Sequence, residues 1–119
     1  MCDKIKAMFE TYSQSSSIHK DPTLRSLNIK MGESILADKI IDILKELKYK
    51  EIRYNNIYNE IFTKKAGYEV TIHLLASSGG STTIEVSVFA PEHRGKTRKA
   101  LRFLLNRFKE EFKSYISHE

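Results

Sequence analysis

The apolar positions of the chain recur with two different periods, and a period of three to four residues marks two long helices. Residues 33 to 48 have this period, with Leu36, Ile40, Ile43, Leu44 and Leu47 on one helical face. Residues 94 to 116 have it again, and their apolar stripe spans an arc of about 120° in helical projection. That stripe consists of Leu101, Leu104, Leu105, Phe108, Phe112 and Ile116. We therefore predict two long amphipathic helices, each with one face to bury.

Strict alternation of apolar and polar residues marks three strands, within residues 27 to 31, 68 to 76 and 82 to 90. This pattern is typical of an antiparallel sheet with one buried face and one solvated face. In the last two strands, the inward positions are Val70, Ile72, Leu74, Ile84, Val86 and Val88. The outward positions include Glu69, His73 and Glu85. We interpret the outward face as solvated or, alternatively, as an open binding surface.

Residues 49 to 66 allow two interpretations. Tyr54, Ile57, Tyr58 and Ile61 have helical spacing, but the same segment also fits two strands joined at Asn55 and Asn56. The high content of isoleucine and tyrosine and the asparagine pair favour the two strands.

Residues 1 to 17 are predicted to form a short helical arm with its linker, and residues 18 to 119 a single domain. Ile5, Met8, Phe9 and Tyr12 share one helical face. The run SQSSS ends this helix, because serine side chains compete for backbone hydrogen bonds. A helix of about ten residues is marginal alone. The arm therefore packs on its own domain, on a second copy or on a partner, and a homodimer through this helix is one prediction.

These elements predict an α+β fold. We expect a single antiparallel sheet of four to five strands with two long helices on one face and the short N-terminal helix beside them. The order β-α-β-β-β-β-α resembles that of TATA-binding-protein-like and kinase-associated C-terminal domains. This resemblance implies an arrangement of elements and no particular function.

Composition narrows the class of protein. Of the 119 residues, 40% are hydrophobic and 29% are charged, which is usual for a globular domain with its own core. No apolar run approaches the roughly 20 residues of a membrane span, and the first residues lack the pattern of a secretory signal. Cys2 is the only cysteine, so a cytoplasmic location is predicted. The four histidines are scattered, and no metal site is expected.

The positive charge is concentrated in one segment. Residues 94 to 109 contain seven cations and no acid, whereas the whole chain has a formal net charge of +5. The other residues therefore carry a net charge of −2. A field of this kind attracts nucleic acid, anionic lipid, a phosphorylated ligand or an acidic protein.

An aromatic side chain lies in the middle of this cationic segment. On a helical projection Phe103 falls opposite the apolar stripe, close to Lys99. Either Phe103 packs against the N-terminal helix or it contacts a ligand. The second interpretation predicts a non-catalytic binding module for a polyanion or an acidic protein. Its anion-binding residues are Arg94, Gly95, Lys96, Arg98, Lys99, Arg102, Phe103 and Arg107.

The stretch FAPEHRGK, residues 89 to 96, resembles the end of the central strand and the acyl-CoA loop of the GCN5-related N-acetyltransferases. The resemblance implies acetyl-CoA as cofactor, with its pyrophosphate held by backbone N–H groups of the loop and of the following helix. It also makes Glu85 the general base. The chain departs from the family pattern at Thr97 and Lys99, where the family has small residues. An acyl-CoA-dependent transferase, or a cofactor-binding remnant of one, is therefore the alternative function.

Overall fold

Six antiparallel strands and two long helices form the computed structural model, which describes residues 12–15, 24–90 and 97–116. The strands are β1 (Tyr12–Gln14), β2 (Leu27–Ile29), β3 (Lys50–Asn55), β4 (Glu60–Lys65), β5 (Tyr68–Ala76) and β6 (Thr82–Phe89). The helices are α1 (Glu33–Glu46) and α2 (Thr97–Glu111), and short 3₁₀ turns occupy Ser78–Gly80 and Lys113–Tyr115. The predicted α+β class, with one antiparallel sheet and two long helices, is confirmed.

The sheet is five strand positions wide, because β1 and β2 share one edge. Both pair with β6, β1 opposite residues 87 to 89 and β2 opposite residues 82 to 84. β5, β4 and β3 follow in order on the other side of β6. Ser15 extends β1, since its N–H donates to the carbonyl of Val86 and its Oγ accepts the N–H of Val86, both at 2.7 Å. The edge of β6 is thereby paired along most of its length.

The strand alternation predicted for β5 and β6 is confirmed. Val70, Ile72, Leu74, Ile84, Val86 and Val88 are all buried. They belong to one cluster that also contains the buried faces of α1 and α2, including Leu36, Ile40, Leu101 and Phe108. The polar positions between them are only partly buried, as expected for the second face of a sheet.

Residues 49 to 66 form two strands, so the favoured interpretation of this segment is confirmed. β3 and β4 are joined by a turn at residues 56 to 59. The Asn55 side chain accepts the N–H groups of Ile57 and Tyr58, which is the local bonding that places asparagine in turns. Ile57 therefore lies in the turn and not in a strand.

Two local predictions are wrong. Ser13 and Gln14 are not loop residues but belong to β1, because pairing with β6 outweighs the weak local preference of a three-residue segment. The C-terminal helix ends at Glu111 and not at residue 116, whereas its predicted start at residue 94 falls outside the described residues. Ile116 instead forms an isolated bridge with Ile29. The predicted N-terminal helix falls on residues outside the described ranges, apart from Tyr12.

Neither helix among the described residues combines the length and the apolar character that crossing a membrane requires.

Candidate anion-binding cleft

The first helical turns of α2 present the predicted cationic residues in different ways. Arg98 and Lys99 are exposed, Arg102 is partly buried, and Phe103 keeps 55% of its surface exposed. The described part of the chain therefore leaves more than half of Phe103 uncovered, although this side chain is large and apolar. Arg94, Gly95 and Lys96 lie outside the described residues.

Lys99 and Phe103 line one side of a cleft of about 390 Å³. A volume of this size lies within the range of about 300 to 1,000 Å³ typical of small-molecule sites. The opposite side is formed where α1 ends and where β4 turns into β5. The lining residues are Tyr49, Lys65, Ala66, Tyr68, Lys99, Ala100 and Phe103. The cleft thus combines three aromatic side chains with two ammonium groups, and no carboxylate of the described residues lines it.

The end of α1 positions Tyr49. The N–H of Tyr49 donates to the carbonyl of Leu44 at 2.9 Å, and the N–H of Lys48 donates to the carbonyl of Lys45 at 3.0 Å. These two bonds are those of a Schellman motif, in which the residue after the helix takes a left-handed conformation. Lys48 has that conformation, with φ 68°. The backbone therefore reverses at Lys48 and brings Tyr49 to the cleft.

We expect Lys48→Gly to raise the free energy of unfolding by about 0.5–1 kcal/mol, because glycine adopts the left-handed conformation without a steric penalty. Urea unfolding measures this change, with an unchanged dependence on denaturant concentration. Lys45→Gly is the matched control, since Lys45 is also exposed but lies within α1. There the same substitution should cost about 1 kcal/mol. If both substitutions changed the free energy of unfolding in the same direction, the left-handed conformation of Lys48 would be contradicted.

The Lys65 ammonium is held in place on the floor of the cleft. Its Nζ donates to the carbonyl of Leu47 at 2.6 Å and lies 5.1 Å from the centre of the Tyr49 ring. A cation at this point also interacts favourably with the negative end of the α1 dipole. One of its three N–H groups is used by Leu47, so the others are able to contact a ligand.

A two-residue turn between β4 and β5 forms the lower rim of the cleft. Ala66 and Gly67 both have positive φ, at 49° and 86°. This is the backbone required by the tight hairpin turns whose twist matches that of the strands. Lys65 and Tyr68 are the last paired residues of the hairpin. The turn therefore brings a cation and an aromatic residue to the same end of the sheet.

Burial, with a smaller contribution from Tyr68, raises the pKa of Tyr49 from 10.0 to about 12. The folded protein thus holds this proton between pH 10 and 12, where the unfolded chain has released it. The free energy of unfolding is expected to fall as the pH rises through that window. Tyr49→Phe removes the titrating hydroxyl, so the free energy of unfolding of this variant should fall less steeply between pH 10 and 12 than that of the wild type. Denaturant unfolding of both proteins across that pH range measures the difference, and parallel curves would contradict it.

Arg107, at the other end of the predicted cationic face, is engaged in ion pairs. Its Nη2 lies 2.9 Å from a carboxylate oxygen of Glu46 and 3.3 Å from one of Glu111. The hydrogen bonds that Arg107 donates to Glu111 and then to Glu46 raise the pKa of the guanidinium further. Arg107 thus links α2 to α1. Because two carboxylates lie next to its charge, it attracts an anion in the cleft less strongly than an unpaired arginine of α2 would.

The polar face of the sheet differs from the cleft in its charge. Phe62 lies on this face, with Arg53 5.2 Å and Lys64 5.9 Å from its ring centre. Three carboxylates, Glu60, Glu69 and Glu85, belong to the same face. Glu69 lies 4.0 Å from the Lys64 ammonium. An anion is therefore favoured less here than in the cleft.

Glu85, the base implied by the acetyltransferase resemblance, lies opposite His73, which in turn lies opposite Glu60. Within the described ranges, no group of three or more histidines, cysteines, aspartates or glutamates is arranged to hold a metal ion.

No protein-family model, curated protein or solved structure matches this chain.

Sequence reasoning identified Lys99 and Phe103 but missed Tyr49, Lys65 and Tyr68. For Lys65 and Tyr68 the local signal was the run KKAGY, in which lysines and an aromatic residue flank a turn, and it does not extend to Tyr49.

Proposed function

We propose that this protein is a non-catalytic binding module for single-stranded nucleic acid. The observation that carries the proposal is the cleft, where Tyr49, Tyr68 and Phe103 lie beside the ammonium groups of Lys65 and Lys99. Aromatic rings stack on unpaired bases, and lysines neutralise the adjacent phosphates. Such a site needs both features within one nucleotide's reach, and the cleft brings them together.

The shape of the cleft favours an unpaired base over the other anions. A recess lined by rings takes up a flat base that is free of its partner strand, whereas anionic lipid is bound by apolar side chains that protrude into the headgroups. An inorganic phosphate or an acidic peptide uses the lysines but leaves the aromatic rings without a role. Single-stranded nucleic acid therefore accounts for more of the lining than the alternatives.

Two further features belong to this proposal. Both long helices pack on the same face of the sheet, which leaves the polar face free of the binding site. The protein acts in the cytoplasm, a location supported by its single cysteine, Cys2.

The test is a titration of a fluorescently labelled single-stranded oligonucleotide at several salt concentrations. For single strands, the logarithm of the binding constant falls by about 0.7 per contacted phosphate for each tenfold rise in salt. With Lys65 and Lys99 as the principal contacts, we expect a slope of about −1.4 or steeper. A duplex of the same sequence should bind more weakly, because its bases are not free to stack. Equal affinity for both, or no binding, would overturn the proposal.

Excess acetyl-CoA in the same titration tests the alternative. Residues 91–96 of its loop lie outside the described ranges, so an acyl-CoA site there stays a prediction. Nucleic-acid binding that is unaffected by acetyl-CoA supports a site used for nucleic acid alone. Displacement by acetyl-CoA, together with direct binding of acetyl-CoA that Gly95→Val abolishes, would support the transferase or its remnant.

A further inference from the structure

The turn between β3 and β4 carries the two most exposed large apolar side chains in the described part of the chain. Ile57 keeps 81% of its surface exposed and Tyr58 keeps 65%. They protrude from the end of the sheet that lies opposite the cleft, because β3 leads from Tyr49 to this turn and β4 leads back to Lys65. We call Ile57 and Tyr58 the apolar tip.

The apolar tip is held rigidly. The Asn55 side chain accepts both of its N–H groups, at 2.9 and 3.2 Å. Asn59 fixes the turn from the other side, since its carbonyl accepts the N–H of Leu74 at 2.9 Å and its side chain contacts the Tyr54 hydroxyl at 3.1 Å. The Asn59 side chain also donates to the Glu33 carboxylate at the start of α1. A preorganised apolar protrusion loses little conformational entropy when it docks.

The charges around the apolar tip are opposite to those around the cleft. Glu33 contacts the turn through Asn59 and Glu60 follows the turn directly, whereas Arg53 is the one nearby cation among the described residues and lies beside Asn55 and Glu60. The segments that form the cleft, residues 47 to 50, 65 to 68 and 97 to 103, contain six lysines and arginines and no acid. An anionic membrane surface would repel the acidic rim of the tip, whereas a cationic, apolar recess attracts it.

We propose that the apolar tip of one copy of this chain docks into the cleft of a second copy, with Tyr58 against the ring of Phe103. Because the tip and the cleft lie at opposite ends of β3, β4 and β5, the contact uses different surfaces on the two partners. A contact of this type does not close around a two-fold axis, and it continues into a chain or ring of copies. The proposal concerns the same cleft as the proposed function but does not depend on nucleic acid.

Sedimentation velocity of the full chain over a wide concentration range tests the proposal. Wild-type protein should show a weight-average mass that rises above 13.8 kDa with concentration and continues past the dimer. Ile57→Ser with Tyr58→Ser removes the tip, and Phe103→Glu blocks the cleft. Each variant should remain monomeric on its own. An equimolar mixture of the two should form a dimer and nothing larger, because only one complementary pair of surfaces remains.

Tyr115→Ser is the matched control, since Tyr115 is an exposed tyrosine that lies outside both surfaces. It should associate as the wild type does, and circular dichroism should show every variant folded. A wild type that stays monomeric at all concentrations overturns the proposal. So does association that persists in the tip variant, a mixture that stays monomeric, or a mixture that grows beyond the dimer.

Oligonucleotide titration of the tip variant separates this proposal from the proposed function. The variant retains its cleft and, at protein concentrations below those at which the wild type associates, should bind the single strand with unchanged affinity. Binding without self-association in the wild type would remove only the docking proposal. Self-association without binding would remove only the nucleic-acid proposal.

Discussion

Phe108→Ala is expected to lower the free energy of unfolding by about 3–5 kcal/mol, the usual cost of truncating a fully buried phenylalanine. Phe108 is completely buried and its ring centre lies 6.4 Å from that of Phe112. Truncation therefore removes the burial of the ring and one aromatic contact, and it opens a cavity between α2 and the sheet. Since domains of this size are stable by only about 5–15 kcal/mol, the variant should be close to unfolding.

Urea unfolding followed by circular dichroism measures this loss. Phe103→Ala is the matched control, because it is the same change in the same helix at a side chain that is 55% exposed. The control should change the free energy of unfolding by less than about 1 kcal/mol. Similar losses in the two variants would mean that Phe103 is packed in solution, and the cleft would then lose its central ring.

Phe103→Ala combined with Lys99→Ala should weaken single-strand binding far more than it weakens the fold. Stacking of one base on an aromatic ring contributes about 1–3 kcal/mol, which is about 5- to 150-fold in Kd. Removal of Lys99 adds the loss of one phosphate contact and should make the salt slope shallower by about 0.7. Lys99 is exposed, and within the described residues no carboxylate pairs with it, so its removal leaves no unpaired partner.

The binding control is Lys109→Ala, which removes an exposed cation from the last turn of α2, away from the cleft lining. Its effect on Kd should be small, and the salt slope should stay as in the wild type. A folded double variant with unchanged affinity would place the nucleic acid elsewhere. Equal losses in the double variant and in Lys109→Ala would indicate diffuse attraction to the basic helix without a defined site.

Most of the fold follows from the sequence because burial imposes a period on it. The alternation in β5 and β6 and the stripes of α1 and α2 each identify residues that the structure buries, such as Ile72 and Leu104. Elements of this length contain enough positions for the period to outweigh local exceptions. The β3–β4 pair was recognisable from its isoleucines, its tyrosines and the asparagine pair at the end of β3, Asn55 and Asn56.

Short elements and chain ends were not predictable in this way. β1 has three residues, and only its pairing with β6 makes it a strand. Ile116 continues the helical stripe in the sequence, yet the chain leaves the helix after Glu111. The N–H of Lys30 donates to the carbonyl of Tyr115 at 2.6 Å, so the segment that follows α2 pairs with the backbone at the end of β2. A helical period does not reveal a competing backbone partner that lies far away in sequence.

The cleft could be predicted only in part. Lys99 and Phe103 lie four residues apart in one helix, so helical geometry alone predicts that they are adjacent. Tyr49 and Tyr68 come from two other segments, brought together by a helix ending and a hairpin turn at residues with positive φ. Arg107 seemed equivalent to Lys99 on a projection, but its ion pair with Glu46 depends on how α1 and α2 pack.

The shared edge formed by β1 and β2 constrains the time course of folding during synthesis. β3, β4, β5 and β6 are consecutive strands that each pair with the one before, so the partner of each new strand has already been made when it leaves the ribosome. β1 and β2 are made first, but β6, the strand with which both pair, is made last among the strands, and Ile116, which bridges Ile29, is made later still. At about 5–20 residues per second, Leu27 and Ile29 remain without their partners for seconds. During that interval, these apolar residues are accessible to chaperones and to other nascent chains.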